Sequence, residues 1–315
     1  MTETTKTVFE KYQVRKSKKQ RANFRDYVVS KAAEYGYGSA VEKGTFGARN
    51  IVVGNPESAK VIFTAHYDTC ARLPFPNFIT PKNFSIYLLY QIILTFLIIA
   101  IPSAAVLGVL AALSVVTGEW ELIFGFAPLI VYLALIFAMS MLYAGPANKN
   151  TANDNTSGVT ALLDIMRDMP DDLKANAAFI FFDLEEMGLL GSSYYASYHR
   201  SEVKNTLLIN FDCVSDGEHM IFVLKKGARK YEDKIKTAFA GNVNVETEVI
   251  TKGAFYPSDQ ANFKCGVGVA ALKRSKRFGV LYMDRIHTKK DVIYREENIE
   301  FLKNGAIELT KLMSE

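Results

Sequence analysis

Seven histidine and carboxylate side chains follow apolar segments or turns that the sequence predicts to lie at the edge of a sheet. These residues are His66, Asp68, Asp154, Glu185, Glu186, Asp212 and His287. Ligands of open α/β sheets gather at the carboxyl ends of the strands. Histidine nitrogen and carboxylate oxygen are ligands that zinc takes in proteins, and one catalytic zinc usually has three of them and a water. The set is too large for one such ion and suits two metal ions bridged by a carboxylate.

Two carboxylates remain beyond those that a bridged pair of metal ions needs. One could orient a ligand histidine, and the other could take the proton of a metal-activated water. Glu185 and Glu186 are adjacent and cannot both point at one atom, so we expect one ligand and one base. His66 and Asp68 are two residues apart in an extended segment, so their side chains face the same side.

Short apolar runs alternate with helical patterns along the chain. Strands are predicted at 50–54, 60–65, 178–183, 206–211, 221–224, 246–250, 267–272 and 280–283, and helices at 159–169, 229–240 and 296–313. Residues 178–182 form the kind of unbroken apolar run that a strand buried on both faces shows. The pattern predicts an α/β fold in which helices cover both faces of the sheet.

Two long runs without charge interrupt this pattern. Residues 83–118 and 122–143 contain no Asp, Glu, Lys or Arg, and about 20 apolar residues span a bilayer as a helix. The first run exceeds one span and holds Pro102, so we expect it to be tilted, kinked or broken there. We predict a transmembrane hairpin at 83–145 inserted into one domain made of 1–82 and 146–315. A buried soluble hairpin or a dimerisation arm is the alternative.

Charge predicts the orientation of the hairpin. Lys82 and Lys149 flank it, whereas its tip carries Glu119 and Glu121, so the positive-inside rule places the domain and both termini in the cytoplasm. Three unpaired cysteines and an N-terminus without an apolar signal core agree with a reducing compartment. The basic segment 11–25 is predicted to lead an amphipathic helix, either as a solvated face or as a surface attracted to anionic lipid. The net charge of +4 does not indicate a nucleic-acid partner, and the oligomeric state is not indicated.

The chain resembles the co-catalytic di-zinc aminopeptidases of metallopeptidase family twenty-eight, over nearly all of its length outside the hairpin. The matching segments in order are His66-Tyr67-Asp68, Asn153-Asp154-Asn155 with Ser157-Gly158, Glu185-Glu186 with Gly188-Leu189-Leu190-Gly191-Ser192, Asp212, Ser258-Asp259, and His287-Thr288 followed by Asp291. The resemblance implies a three-layer α/β/α sandwich with a mixed, mostly parallel central sheet, as in zinc exopeptidases. Two departures are the hairpin, which replaces a short loop, and Gln260, where family members often have histidine.

The resemblance also implies a ligand set for two co-catalytic Zn²⁺ ions. Asp154 would bridge them, His66 and Asp212 would complete one site, and Glu186 and His287 would complete the other. Family members have a cis peptide bond after the bridging aspartate.

Further roles follow from the same resemblance. Glu185 would be the general base and later the acid, and Asp68 would hold His66 by its second ring nitrogen. Tyr256 is the nearest candidate for an oxyanion or substrate contact. The acids Glu185 and Asp212 would hold a free substrate amine.

These expectations describe a membrane-anchored zinc exopeptidase, most simply an aminopeptidase that hydrolyses N-terminal residues of short peptides by a metal-activated water. Glutaminyl cyclisation or carboxypeptidase action on the same scaffold, and a catalytically silent membrane scaffold, are the alternatives. Asp291 is interpreted as a local cap and Cys70 as a small buried residue. His199 and His219 are interpreted as structural, since neither lies in a matching segment.

Overall fold

The computed structural model describes the backbone of residues 1–315 and every side chain except that of Leu122. Its strands are β1 (Ser39–Lys43), β2 (Arg49–Val53), β3 (Val61–His66), β4 (Ala177–Phe182), β5 (Leu207–Phe211), β6 (His219–Leu224), β7 (Glu246–Ile250), β8 (Gly266–Arg274) and β9 (Leu281–Tyr282). Its helices are α1 (Glu3–Lys11), α2 (Lys18–Glu34), α3 (Phe84–Thr117), α4 (Trp120–Gly125), α5 (Ala127–Ala144), α6 (Gly158–Asp168), α7 (Leu190–Tyr198), α8 (Arg200–Val203), α9 (Glu232–Ala238) and α10 (Glu296–Ser314).

The strands form one mixed sheet in the order β1-β2-β4-β3-β5-β8-β6-β7, with β9 paired to β8. The central strands β4, β3, β5 and β8 are mutually parallel. Antiparallel pairs lie toward the edges, between β1 and β2, β2 and β4, and β6 and β8. The predicted α/β fold with a mixed sheet is confirmed, with its parallel pairs concentrated at the centre.

Both faces of the central strands are buried, which explains why β4 reads as a continuous apolar run. Phe179 and Phe181 point into a core formed with α1, α2, α6, α9 and α10. Ile180 and Phe182 point to the opposite face, where Tyr195 of α7 and residues of α8 cover them. Because successive side chains of a strand alternate between faces, the sheet is the middle layer of three.

The hairpin helices α3 and α5 leave the sheet domain and pack against each other. Both are long and apolar enough to cross a membrane. Their most apolar 18-residue windows have mean hydropathies of 2.6 and 2.1, and 0% and 6% of the residues in these windows are buried. Helix α3 continues through Pro102, so of the tilt, kink or break expected there the break does not occur. The second apolar run is the interrupted one, because a new helix begins at Ala127 with Pro128 in its first turn, a position that proline favours.

The N-terminal segment also differs from the prediction. A break at 12–17 separates α1 from α2, and Ser17 and Gln20 form a capping box that starts α2. Arg15 lies in this break and is fully buried, so it does not belong to a lipid-facing basic helix. Strand β1 was not predicted, because its mostly exposed residues lack an apolar pattern. The helix expected at 229–240 is shorter, beginning at Glu232.

Candidate active site

Adjacent parallel strands bring the predicted chemistry to one edge of the sheet. Strand β3 ends at His66 and lies between β4 and β5. The loop after β4 carries Glu185 and Glu186, and the residue after β5 is Asp212. Since parallel strands present their carboxyl ends together, these four side chains converge.

Asp154 stands between the two histidines. His66 Nε2 lies 3.3 Å from Asp154 Oδ1 and 3.5 Å from Asp212 Oδ1. His287 Nε2 lies 2.9 Å from Asp154 Oδ2 and 3.2 Å from Glu186 Oε2. Each oxygen of one carboxylate therefore faces a different histidine, and each histidine has one further carboxylate.

The loop before α6 presents Asp154 in this position. The two carboxylate oxygens of Asp291 accept hydrogen bonds from the backbone N–H groups of Asn153 at 2.7 Å and Asp154 at 3.0 Å. The side-chain amide of Asn155 donates to the carbonyl oxygen of Phe211 at 2.9 Å. The Asp154–Asn155 peptide bond is cis, as the family resemblance implies. Asp291 thus caps a loop that is distant in sequence.

Asp68 organises the glutamate pair as well as His66. Its Oδ1 and Oδ2 accept hydrogen bonds from the backbone N–H groups of Glu185 at 3.0 Å and Glu186 at 3.2 Å. His66 Nδ1 lies 3.2 Å from the carbonyl oxygen of Asp68 and 3.6 Å from its Oδ1. Leu184 has a φ of 57° in the turn that presents the pair. Asp68 therefore connects the end of β3 to the loop after β4.

Burial and crowded charges shift the protonation of this cluster. Burial raises the pKa of Glu185 well above its usual range and that of Glu186 to about 8. Burial alone would lower the pKa of each histidine, but the neighbouring carboxylates, Glu185 for His66 and Glu186 for His287, raise it, to about 9 at His287. Burial alone would raise the pKa of Asp154, yet hydrogen bonds from both histidines hold the pKa of that carboxyl below its usual range. Such a concentration of negative charge favours bound cations.

The donor atoms fit divalent metal ions. His66, Asp154 and Asp212 form one group whose ligand atoms lie within 4.8 Å of one another, and Asp154, Glu186 and His287 belong to a second. Glu186 Oε1 is buried and has no hydrogen-bond partner among the described residues. Imidazole and carboxylate are ligand types that zinc takes.

Cys70 extends the second group, which the sequence did not indicate. Its sulfur lies with the ligand atoms of Asp154, Glu186 and His287. The thiol is buried, and burial together with the nearby carboxylates raises its pKa well above the usual range. The buried position agrees with the interpretation of Cys70 as a small buried side chain.

Tyr256 and the remaining histidines have defined places. The Tyr256 hydroxyl donates to the carbonyl oxygen of Asp212 at 2.9 Å and lines a cavity of 180 Å³ beside the cluster. His199 bonds with Glu42 at 2.9 Å, away from the cluster, and His219 lies in β6. Neither of these histidines joins the groups described above.

Arg15 is a site residue that sequence reasoning missed. It is fully buried, and its side chain donates to the carbonyl oxygens of Tyr67 at 2.5 Å and Tyr12 at 2.7 Å and to the Thr156 hydroxyl at 3.3 Å. Its backbone N–H donates to the Thr69 hydroxyl at 3.0 Å. Burial lowers its pKa to about 10, which leaves it charged near the acidic cluster. Nothing local distinguishes it from the exposed basic residues around it.

The three-layer fold and the buried histidine–carboxylate cluster at its carboxyl edge define a metallohydrolase of the zinc exopeptidase type. The sequence model of Peptidase family M28 matches residues 139–309, which is more than half of the chain. The chain belongs to peptidase family M28 and is a metallopeptidase of this zinc-dependent family. The match begins at the end of the hairpin, so it does not reach His66 or Asp68.

Solved structures with the same fold cover almost the whole chain. The LapA aminopeptidase of Legionella pneumophila has a TM-score of 0.57 at 14% identity, covering 99% of this chain and 70% of that one. A glutaminyl cyclase of Porphyromonas gingivalis has a TM-score of 0.56 at 16% identity, covering 98% and 95%. A leucine aminopeptidase precursor of Bacteroides thetaiotaomicron has a TM-score of 0.52 at 15% identity, covering 97% and 93%. No curated protein matches the chain. Because aminopeptidases and cyclases share this fold, the reaction must be inferred from the site.

Proposed function

We propose that the chain is a membrane-anchored aminopeptidase that removes N-terminal residues from short peptides with two zinc ions. The pair of ligand groups that share Asp154 carries this proposal. His66 and Asp212 would hold one ion together with Asp154, and Glu186 and His287 would hold the other. Zinc bound there would polarise the peptide carbonyl and bring the pKa of water toward neutrality.

Glu185 has the position of a proton carrier. It lines the 180 Å³ cavity, and its carboxylate lies near those of Glu186 and Asp212. In the proposed reaction it takes a proton from the attacking water and gives it to the amine of the leaving peptide. Asp68 fixes the backbone of both glutamates, which separates a ligand and a base on adjacent residues.

The same cavity is suited to the N-terminal residue of a peptide. Glu185 and Asp212 line it and can hold a free amine, while Ile79 and Ile286 supply apolar wall. Tyr256 would contact the developing oxyanion by exchanging its bond to the Asp212 carbonyl for one to the substrate. Because these two acids could pair with a free amine, they support aminopeptidase over carboxypeptidase action.

Hydrolysis of unblocked aminoacyl reporters tests this proposal. A panel of aminoacyl amides should be hydrolysed by the full chain, and a zinc chelator should abolish turnover. The N-acetylated forms of the same reporters should be inert, because they lack the charged amine. Cyclisation of glutaminyl peptides without hydrolysis of any reporter would instead support the cyclase alternative.

The hairpin at 83–145 is proposed to anchor a discontinuous catalytic domain of residues 1–82 and 146–315. The apolar surfaces of α3 and α5 are exposed outside the domain, which requires a lipid or protein cover. Lys82 and Lys149 lie on the domain side, so we propose a cytoplasmic domain with both termini inside.

Protease access to tags at the two ends checks this topology. Tags fused to either terminus should resist protease added to intact cells and be removed once the membrane is opened. A tag inserted at Gly118, in the hairpin tip, should show the opposite behaviour. Digestion of the terminal tags in intact cells would show that the orientation is the opposite of the proposed one.

A further inference from the structure

A cavity of 620 Å³ lies between the hairpin and the catalytic domain. Leu94 and Ile98 of α3 line one side, and Leu135 and Leu142 of α5 line the other. These four side chains are half-buried. The volume is within the range of sites that hold a drug-sized ligand.

The cavity continues into the candidate active site. Asn77, Glu186 and His287 line both the large cavity and the 180 Å³ cavity next to the metal ligands. A molecule that fills the large cavity would therefore reach Glu186 and His287, two of the proposed zinc ligands.

The large cavity extends toward the apolar interior of the hairpin. Helix α3 has 34 residues and is about 51 Å long, whereas a bilayer core is about 30 Å thick. Its first turns pack on the domain, since the rings of Phe84 and Tyr87 lie 5.5 and 6.2 Å from that of Phe255. Ile99, which also lines the cavity, is about 22 Å further along the axis than Phe84.

The lining has two chemical halves. Residues from the helices are uncharged, and the polar ones Gln91 and Thr95 stand one turn apart on α3. The charged lining residues come from the catalytic domain and include Lys16 and Arg21. Aliphatic walls with a few convergent polar groups suit an apolar peptide whose backbone needs hydrogen-bond partners.

We propose that this hairpin cavity binds the apolar side chains that follow the scissile bond, so that the enzyme prefers apolar peptides that partition into the bilayer. The inference rests on the proposed aminopeptidase function and names its substrate class. The N-terminal residue occupies the small cavity, and the next residues lie between α3 and α5.

A matched pair of peptides and a matched pair of variants test the inference. The full chain in lipid nanodiscs is given two tetrapeptide amides with the same N-terminal leucine, one continuing with leucine and valine and one with serine and glycine. The kcat/KM ratio should favour the apolar peptide by about tenfold or more, as burial of an aliphatic side chain contributes. Leu135→Trp fills the cavity and should lower this ratio about tenfold. Leu133 lies about 200° around the same helix from Leu135, on an exposed surface. Leu133→Trp should therefore leave the kcat/KM ratio unchanged.

Binding of a fluorescent apolar peptide to the Glu185→Gln variant provides a readout independent of turnover. Saturable binding should be weakened by Leu135→Trp and unaffected by Leu133→Trp. Ile98→Phe, a smaller change on the facing helix, repeats the test if Leu135→Trp unfolds. Equal peptide ratios and equal binding in the two tryptophan variants would overturn the inference while leaving hydrolysis of small reporters intact. Weakened binding by Leu135→Trp, together with no hydrolysis of any reporter by the natural chain, would keep the cavity assignment and reject the aminopeptidase function.

Discussion

Glu185→Gln should lower turnover of an aminoacyl reporter by about 10²–10⁴-fold, the usual contribution of a general acid–base group. Glutamine has the shape of glutamate but cannot carry the transferred proton. The backbone N–H of residue 185, which donates to Asp68 Oδ1, is unchanged, so the neighbouring ligand should keep its place. Steady-state kinetics and the zinc content of the purified chain are measured together.

Two other glutamates provide the controls. Glu186→Gln should also lose activity, but together with zinc, because Glu186 belongs to a ligand group. Glu57→Gln, at an exposed position away from the site, should change neither quantity. Undiminished turnover in Glu185→Gln would remove Glu185 from the role of base.

The strand-end residues could be predicted because two local patterns determine them. An apolar run buried on both faces marks a central strand, and a polar residue at its end must lie at the sheet edge. His66, Glu186 and Asp212 follow directly from this rule, since β3, β4 and β5 are parallel neighbours. Asp154 and His287 lie in loops, and their individual ligand roles follow from the family resemblance.

Contacts between distant segments could not be predicted in the same way. Arg15 lies among similar basic residues, and only the packing of the 12–17 break against the end of β3 makes it a buried hydrogen-bond donor. Asp291 looked like a local cap, yet it accepts bonds from backbone N–H groups about 140 residues earlier. Both support the loops that carry the proposed metal ligands, so their role depends on the tertiary structure.

The length and apolarity of two uncharged runs predict the hairpin, but they do not predict where its helices are interrupted. A proline inside a helix removes one backbone hydrogen bond, yet α3 continues through Pro102. Gly125 and Pro128 together interrupt the second run instead. The cavity beside the hairpin depends on the packing of α3 on α5 and of both on the domain, which the sequence does not determine.

Substitution of the shared carboxylate should have a larger effect on metal content than loss of any other ligand. Asp154 faces both histidines, whereas Asp212 faces only His66. We therefore expect two zinc ions per chain in the natural protein, about one in Asp212→Ala, and close to none in Asp154→Ala. The loss of affinity should exceed the 10–100-fold that removal of an outer partner of a ligand costs.

Metal analysis after dialysis against dilute zinc, followed by reporter hydrolysis, measures this series. Activity should fall in both variants, with Asp154→Ala resistant to rescue by added zinc. Loss of metal should not require unfolding, because removing Asp154 also removes a negative charge that raises the pKa of Glu186 and Asp291. A thermal unfolding transition retained in the metal-free Asp154→Ala chain is the control. Retention of one zinc ion in Asp154→Ala would contradict a bridging carboxylate, and a ratio of one in the natural protein would contradict the two-zinc proposal.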